Sequence, residues 1–385
     1  MARWSRRLLA VAVVLVLAAV AWGGWYYSGE ILIPEPPAAP VFETRIEAVA
    51  RNRVTLEATE QARRPGLWGL DFPSGYGLVG AIVDRGDGTV TRRYTPLDGR
   101  PRPGQDARID GYASPEDGAA SGLDFPVNEV SVPGPLGRYP AWLATPTGAG
   151  RTWAVLVHGR GAQRNECFRL LPTLHDAGLP SLCVSYRNDT DAPAAPNGLH
   201  GLGATEWADL DAAVAYVHAL GARRVVLVGY SMGAQVVTTF LRRSERANLV
   251  DGVILDAPVL DWGPVLSVAA DQRGVPRMIV PLGMFASELR GGIDFDDLDQ
   301  IEAAEDFDVP ILLFHGTADT TVPVSSSDTF AAARPDLVTY ERVAGADHVQ
   351  AYNADPERYT EAVQAFLVGN RLDARVRQPS TEPAD

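Results

Sequence analysis

The sequence predicts an α/β fold, a mostly parallel sheet with helices on both faces, over residues 127–370. Three observations carry this. Near-continuous apolar runs of strand length alternate with helical runs, the pattern of a sheet covered on both sides. In VVLVGYSMGAQVV, Val225–Val237, an apolar β-branched run breaks at Gly229-Tyr230, presents one serine and resumes as a small-residue helix. At 385 residues and 46% hydrophobic side chains, the chain has ample material for a core.

The chain opens with MARWSRR, which sets Arg3, Arg6 and Arg7 before LLAVAVVLVLAAVAWGGWYY. From Leu8 to Tyr27 no residue is charged, about the length of a helix that crosses a bilayer. Residues 1–29 therefore read as a signal-anchor, a transmembrane helix with its arginines on the cytoplasmic side. Trp22, Trp25, Tyr26 and Tyr27 suit an interfacial aromatic belt. The alternative is a cleaved signal peptide, because Ala19-Val20-Ala21 is an A-x-A site. Either reading places the rest of the chain outside the cytoplasm, anchored in the cell membrane or secreted.

Residues 30–40, with PEPPAAP, read as a stiff extended spacer. Residues 41–126 read as a small β-rich accessory region, in which Asp87-Gly88 is a hairpin signal. The pentapeptide GLDFP occurs at Gly69–Pro73 and again at Gly122–Pro126. It reads as a repeated turn that docks a phenylalanine on the main domain.

In the main domain, VNEVSV and RYPAWLATP form an opening antiparallel pair and TWAVLVHG a buried strand. NECFRLLPTLHDAG is a helix stopped by glycine, PSLCVSYR a strand, and ATEWADLDAAVAYVHALG an amphipathic helix. Then come the strand RRVVLVGYS, the helix MGAQVVTTFLRR and the strand VDGVILDAP. Val259–Phe307 is less regular and reads as a cap. Its Met278, Ile279, Met284 and Phe285 line an apolar pocket or pack into the core. VPILLFHG and LVTYERV are the last strands, PERYTEAVQAFLVG is the closing helix, and 371–385 reads as a disordered tail. Sheets of this kind carry their sites at the carboxyl ends of the strands.

The formal net charge of −14 argues against a nucleic-acid partner, whose phosphates need a basic surface. All 34 basic side chains are arginine, which we attribute to coding bias. The two cysteines, Cys167 and Cys183, fit neither a zinc site nor a disulfide-dense scaffold. At about 1.5 Å per helical residue and about 3.3 Å per strand residue they can come level. An exported chain permits a disulfide between them. The acidic run Asp294–Asp299 reads as a solvated face, and nothing calls for a metal or a cofactor.

Gly229-Tyr230-Ser231-Met232-Gly233 is G-x-S-x-G between a strand and a helix, the context of a nucleophile elbow. A serine hydroxyl is a weak nucleophile at neutral pH and needs a base. Of six histidines, His175 and His218 lie on helices, His200 in a polar loop, and His158 and His315 before glycines that shape loops. His348, in VAGADHVQAYN, sits in the loop after the last strand and is the best base. A carboxylate must fix its tautomer. Asp319, in HGTADTTVP, follows a sheet strand and precedes His348; Asp256, in ILDAP, is the rival, and Asp347 reads as a solvated loop residue. A tetrahedral intermediate needs two backbone N–H donors. Met232 is one, and the loop His158-Gly159-Arg160-Gly161 supplies the other, from Arg160 first and Gly159 next.

From about Val127 to Gly369 these motifs resemble the α/β-hydrolase superfamily. The match is especially to the branch with an HGxxDxxVP acid loop and a GxxH base loop, which includes dienelactone-hydrolase-like and prolyl-oligopeptidase-like serine hydrolases. The resemblance implies an eight-stranded sheet and cofactor-free acyl transfer to water. Prolyl-oligopeptidase relatives carry a much larger preceding domain than 41–126 allows, which favours an esterase over a peptidase.

The expected reaction is hydrolysis of a small-molecule or lipid ester through an acyl-enzyme on Ser231, with a rate that rises as His348 loses its proton. An acyltransferase, a serine peptidase and a non-catalytic binding protein on the same fold remain as alternatives. Neither the substrate's identity nor the oligomeric state is fixed by the sequence.

Overall fold

The computed structural model describes residues 2–34, 40–115 and 122–373, with most side chains before residue 20 also outside the description. Residues 35–39 of the expected spacer therefore lie outside the described residues, as do 374–385 of the expected tail, while Glu30–Leu32, expected in the spacer, belong to the first helix. The rest of that tail is packed: Leu372 is fully buried, with its amide donating to Leu367 O at 2.7 Å.

A first helix, α1 (Ala2–Leu32), covers the apolar N-terminal run and continues past the glycine at 29. Its last turns are docked rather than free. Ile31 and Leu32 are buried in the main core, and Leu32 O accepts the His200 amide at 2.8 Å. Among the described residues no helix is long and apolar enough to cross a membrane.

The accessory region closes into a six-stranded barrel. Its strands are β1 (Thr44–Ala50), β2 (Arg53–Glu57), β3 (Trp68–Phe72), β4 (Gly75–Gly86), β5 (Thr89–Gly99) and β6 (Asp106–Asp110), in the order β1-β2-β5-β4-β3-β6. Asp87-Gly88 makes the two-residue β4–β5 turn, with Gly88 at φ 70°. The interior is apolar, with Ile46, Leu56, Leu70, Phe72 and Val79 buried. Arg92 is buried with them and donates to the carbonyls of Gly80, Ala62, Arg64 and Gly66 at 2.6–3.1 Å. Burial lowers its pKa to about 10. The two GLDFP copies differ in role: Phe72 ends β3 inside the barrel, whereas Phe125 lies in the connection and stacks on His175 at 3.9 Å.

The main sheet has eight strands in the order β14-β13-β12-β11-β9-β10-β8-β7. The antiparallel pair β7 (Val127–Gly134) and β8 (Gly137–Ala144) forms one edge. The others run parallel: β9 (Thr152–Val157), β10 (Ser181–Val184), β11 (Arg224–Tyr230), β12 (Val250–Asp256), β13 (Ile311–Gly316) and β14 (Val338–Val343). Strands β9, β10 and β13 are buried along their whole length, as a doubly covered sheet requires.

The covering helices are α2 (Leu171–Asp176), α3 (Trp207–Ala219), α4 (Met232–Arg243), α5 (Trp262–Gln272), α6 (Val280–Gly291), α7 (Val324–Ala333), α8 (Ala351–Ala354) and α9 (Pro356–Gly369). The cap over 259–307 contains α5 and α6, and α6 packs along the end of α1. The close approach depends on small residues: a Cβ on Gly24 would lie 3.2 Å from Leu282 O. The cap side chains divide in a way the sequence does not reveal. Ile279 is half-buried and Met284 packs on the core, but Met278 and Phe285 are exposed, because α6 already spends its inner face on α1 and the core.

Candidate active site

The site is built at the carboxyl ends of β9, β11 and β13, where a parallel sheet leaves space above its strands. Between β11 and α4, Ser231 takes φ 50° and ψ −117°, a strained conformation for a residue with a Cβ. The flanking glycines make it possible. A Cβ on Gly229 would meet the backbone of Ala234, and one on Gly233 would run into the carbonyls of Val157 and His158. The turn is pinned by Ser231 N–H to Asp256 O at 3.0 Å and by Val259 N–H to Ser231 O at 3.2 Å.

His348 stands over the serine, with Nε2 2.8 Å from Ser231 Oγ. Its Nδ1 is 2.8 Å from Asp319 Oδ2. The Asp319 carboxylate is fully buried. Its Oδ1 accepts the amides of Thr321 and Val322, both at 2.8 Å. His315, also fully buried, brings Nε2 to 3.1 Å from Asp319 Oδ2. Burial pushes the Asp319 pKa up, but hydrogen bonds from His315 and His348 outweigh it and hold the carboxyl well below its usual range. Serine, histidine and carboxylate thus form one hydrogen-bonded chain able to move a proton away from Oγ.

Asp256, the rival acid, does not face the histidine. It lies beneath the elbow, fully buried, and burial raises its pKa to about 6. Asp347 is not merely solvated. Its Oδ1 accepts from Thr320 N, Thr320 Oγ1 and His348 N at 2.8–2.9 Å, lacing the acid loop to the base loop.

Met232 carries the first N–H of α4, a position without an intrahelical acceptor. The loop after β9 is more constrained than its glycines suggest. Gly159 N–H donates to Glu166 Oε2 at 2.8 Å, so it is committed and is dropped as an oxyanion donor. Arg160, the other donor the sequence suggests in this loop, lines the cleft that opens above Ser231. Its guanidinium reaches Glu30 O of α1 at 3.1 Å. His158 packs on Tyr186 and places Nε2 2.8 Å from Asp189 Oδ2. Burial lowers its pKa, and Asp189 more than restores it.

A cleft of about 560 Å³ opens above Ser231, lined by Met232, Arg160, Trp262, Val265, His200 and His348. Burial first, then Arg160 and His158, lower the His200 pKa to about 4, so this ring is neutral at neutral pH. A smaller cleft on the other side of Ser231 is walled by Gly111 and Tyr112, just after β6 of the barrel. The barrel is held there by Asn353 of α8. The Asn353 side-chain amide donates to Leu67 O at 2.8 Å and Gly111 O at 2.9 Å, and the Asn353 main-chain carbonyl accepts Leu67 N–H at 2.8 Å.

Cys167 and Cys183 are disulfide-bonded, with Cα atoms 6.2 Å apart. The bond ties the short 3₁₀ segment Arg164–Arg169 to β10. That segment carries Glu166 and Arg169, both buried and both missed by sequence reasoning. Among the described residues, no cluster of His, Cys, Asp and Glu is arranged to hold a metal ion.

Comparison with known proteins agrees with this architecture. The "Domain of unknown function (DUF8805)" matches residues 45–110, which is the barrel. The Mycobacterium tuberculosis protein Rv2307c is 26% identical over 239 residues, 60% of this chain and 75% of its own. The Bacillus subtilis protein YqkD is 24% identical over 141 residues, 36% of this chain and 46% of its own. The Pyrococcus furiosus esterase Pf2001 superposes with a TM-score of 0.52 at 20% identity, over 64% of this chain and 92% of that one, which shows a shared fold. The "Alpha/beta hydrolase family" matches residues 154–362, from β9 to the closing helix and more than half of the chain. The chain therefore belongs to the alpha/beta hydrolase family.

Proposed function

We propose that this protein is a membrane-anchored serine hydrolase, acting outside the cytoplasm, that cleaves carboxylic esters through an acyl-enzyme on Ser231. The observation that carries the reading is the chain Ser231 Oγ–His348–Asp319, with both contacts to the imidazole at 2.8 Å.

Ser231 Oγ attacks the ester carbonyl as His348 Nε2 takes its proton. Asp319 holds the ring by Nδ1 and stabilises the imidazolium. The amides of Met232 and Arg160 receive the oxyanion. Collapse expels the alcohol, which leaves with the proton from His348. Water, deprotonated by the same histidine, then attacks the acyl-enzyme and releases the acid.

The anchor reading rests on the uncharged run Leu8–Tyr27 behind Arg3, Arg6 and Arg7. The Cys167–Cys183 bond suits an oxidising compartment.

The test is labelling with a fluorophosphonate probe, wild type beside Ser231→Ala, with the adduct mapped by mass spectrometry. Labelling at Ser231 that vanishes in the variant is expected. An unlabelled, folded wild type would leave a binding protein on this fold. Turnover of p-nitrophenyl esters, set against amides and against added acceptor alcohols, then separates esterase from peptidase and acyltransferase.

A further inference from the structure

Beside the cleft above Ser231 runs a narrow groove between α1 and the cap. Its apolar walls include Tyr27 and Ile31 from α1, Leu266 and Ala269 from α5, and Val280 from α6, and the charged Glu30 and Arg273 line it too. It adjoins the cleft at Arg160, which lines both, and α5 passes from one to the other, with Val265 in the cleft and Leu266 in the groove. Outside the groove the surface is unusually apolar. Trp22 and Trp25 on α1 are 69% and 60% exposed, and Phe285 and Leu289 on α6 are 58% and 74% exposed. Met278, just before α6, is 81% exposed. Single exposed apolar residues are ordinary, but a concentration on two helices packed against each other marks a surface that meets something apolar.

We propose that this groove is the acyl-chain site for a long-chain ester drawn from a lipid bilayer, and that the exposed apolar residues of α1 and α6 are the rim that meets the bilayer. The proposal rests on the hydrolase reading above and gives it a substrate class. Two features favour the bilayer over a protein partner. The rim lies on the helix whose preceding residues, from Leu8, are uncharged for the length of a membrane span. And Tyr27, the last residue of that run, itself lines the groove, which sets the groove at the depth of the interface, where the ester groups of lipids lie. A lipid would enter tail first between α1 and α5, with its ester carbonyl stopping above Ser231 near Arg160.

The test uses the full chain in detergent and in phosphatidylglycerol–phosphatidylethanolamine vesicles, with p-nitrophenyl acetate, p-nitrophenyl dodecanoate and fatty-acid release as readouts. Ala269→Phe, which fills the groove, is expected to lower dodecanoate kcat/KM about tenfold and leave acetate turnover within about twofold. Leu266→Ala, which widens it, is expected to shift preference toward longer chains and serves if the first variant does not fold. Phe285→Asp with Leu289→Asp is expected to lower fatty-acid release from vesicles about tenfold at unchanged acetate turnover. Groove variants that move acetate and dodecanoate in parallel, or leave chain-length preference unchanged, would overturn the assignment. So would a rim variant that keeps full activity on vesicles. A wild type inert even to acetate and to fluorophosphonate would instead overturn the hydrolase reading, and this site with it.

Discussion

Arg169 and Glu166 form a buried ion pair that touches both sides of the active site. The pair closes between Nη2 and Oε1 at 3.2 Å. The other Glu166 oxygen holds the Gly159 amide at 2.8 Å, next to the candidate oxyanion donor. The other arm of Arg169 donates to Val349 O at 2.9 Å, one residue beyond His348.

Glu166→Gln keeps an oxygen for Gly159 but strands the buried guanidinium. Leaving one partner of a buried pair unmatched costs about 3–5 kcal/mol. The expected outcome is a loss of that size in urea unfolding, with kcat reduced about tenfold and KM changed less. Wild-type stability in this variant would mean that the pair does not brace the site.

Asp319→Asn should leave the fold intact and lower kcat about 10⁴-fold, because an amide both donates and accepts and no longer fixes the imidazole tautomer. The pH behaviour follows from the depressed pKa of Asp319. Its contribution to stability is present above the unfolded carboxyl value of about 3.9 and is lost only as pH falls through the lower folded value. A fall in kcat/KM at mildly acidic pH therefore does not report Asp319. Pre-steady-state acylation rates from pH 4 to 8, with urea unfolding at the same points, check both statements.

Asp256 behaves in the opposite sense. Burial raises it to about 6. A carboxyl raised in the folded state contributes stability in full below its unfolded value of about 3.9, and loses it as pH rises through the folded value. Asp256→Asn should remove that slope, gaining about 2–3 kcal/mol over wild type at pH 7.5 and little at pH 4. Parallel pH–stability curves for the two proteins would refute the assignment.

Reducing the disulfide reopens a sequence separation of 16 residues, which costs about 3 kcal/mol. Cys167 directly follows Glu166, so the loss should reach activity as well as Tm. Cys167→Ser with Cys183→Ser, assayed beside reduced wild type, is expected to match it in both. Lowered stability with full activity would separate the bond from the site.

The strand–helix alternation made the sheet legible, and the elbow was legible because its glycines answer to steric demands written locally. Asp319 and His348 were findable because each sits just beyond a recognisable strand. What escaped were the supports. Glu166 and Arg169 lie in NECFRLL, which reads as an ordinary amphipathic run, and their burial arises only when β9, β10 and the base loop converge. Gly159 looked free as a donor because a glycine's neighbours in sequence do not reveal which carboxylate meets its amide. The barrel was hard to read because its strands are short and turn-rich, and closure depends on pairing β1 with β6 across the whole region.

The clasp at Asn353 makes the barrel part of the catalytic unit rather than an appendage. A chain begun at residue 126 would not be a minimal hydrolase. It would carry an amide side chain stripped of both its acceptors and a serine open to water on the flank that Tyr112 now walls. Selection on substrate choice can therefore act through the barrel, far from the serine in sequence, without altering any residue that performs the chemistry.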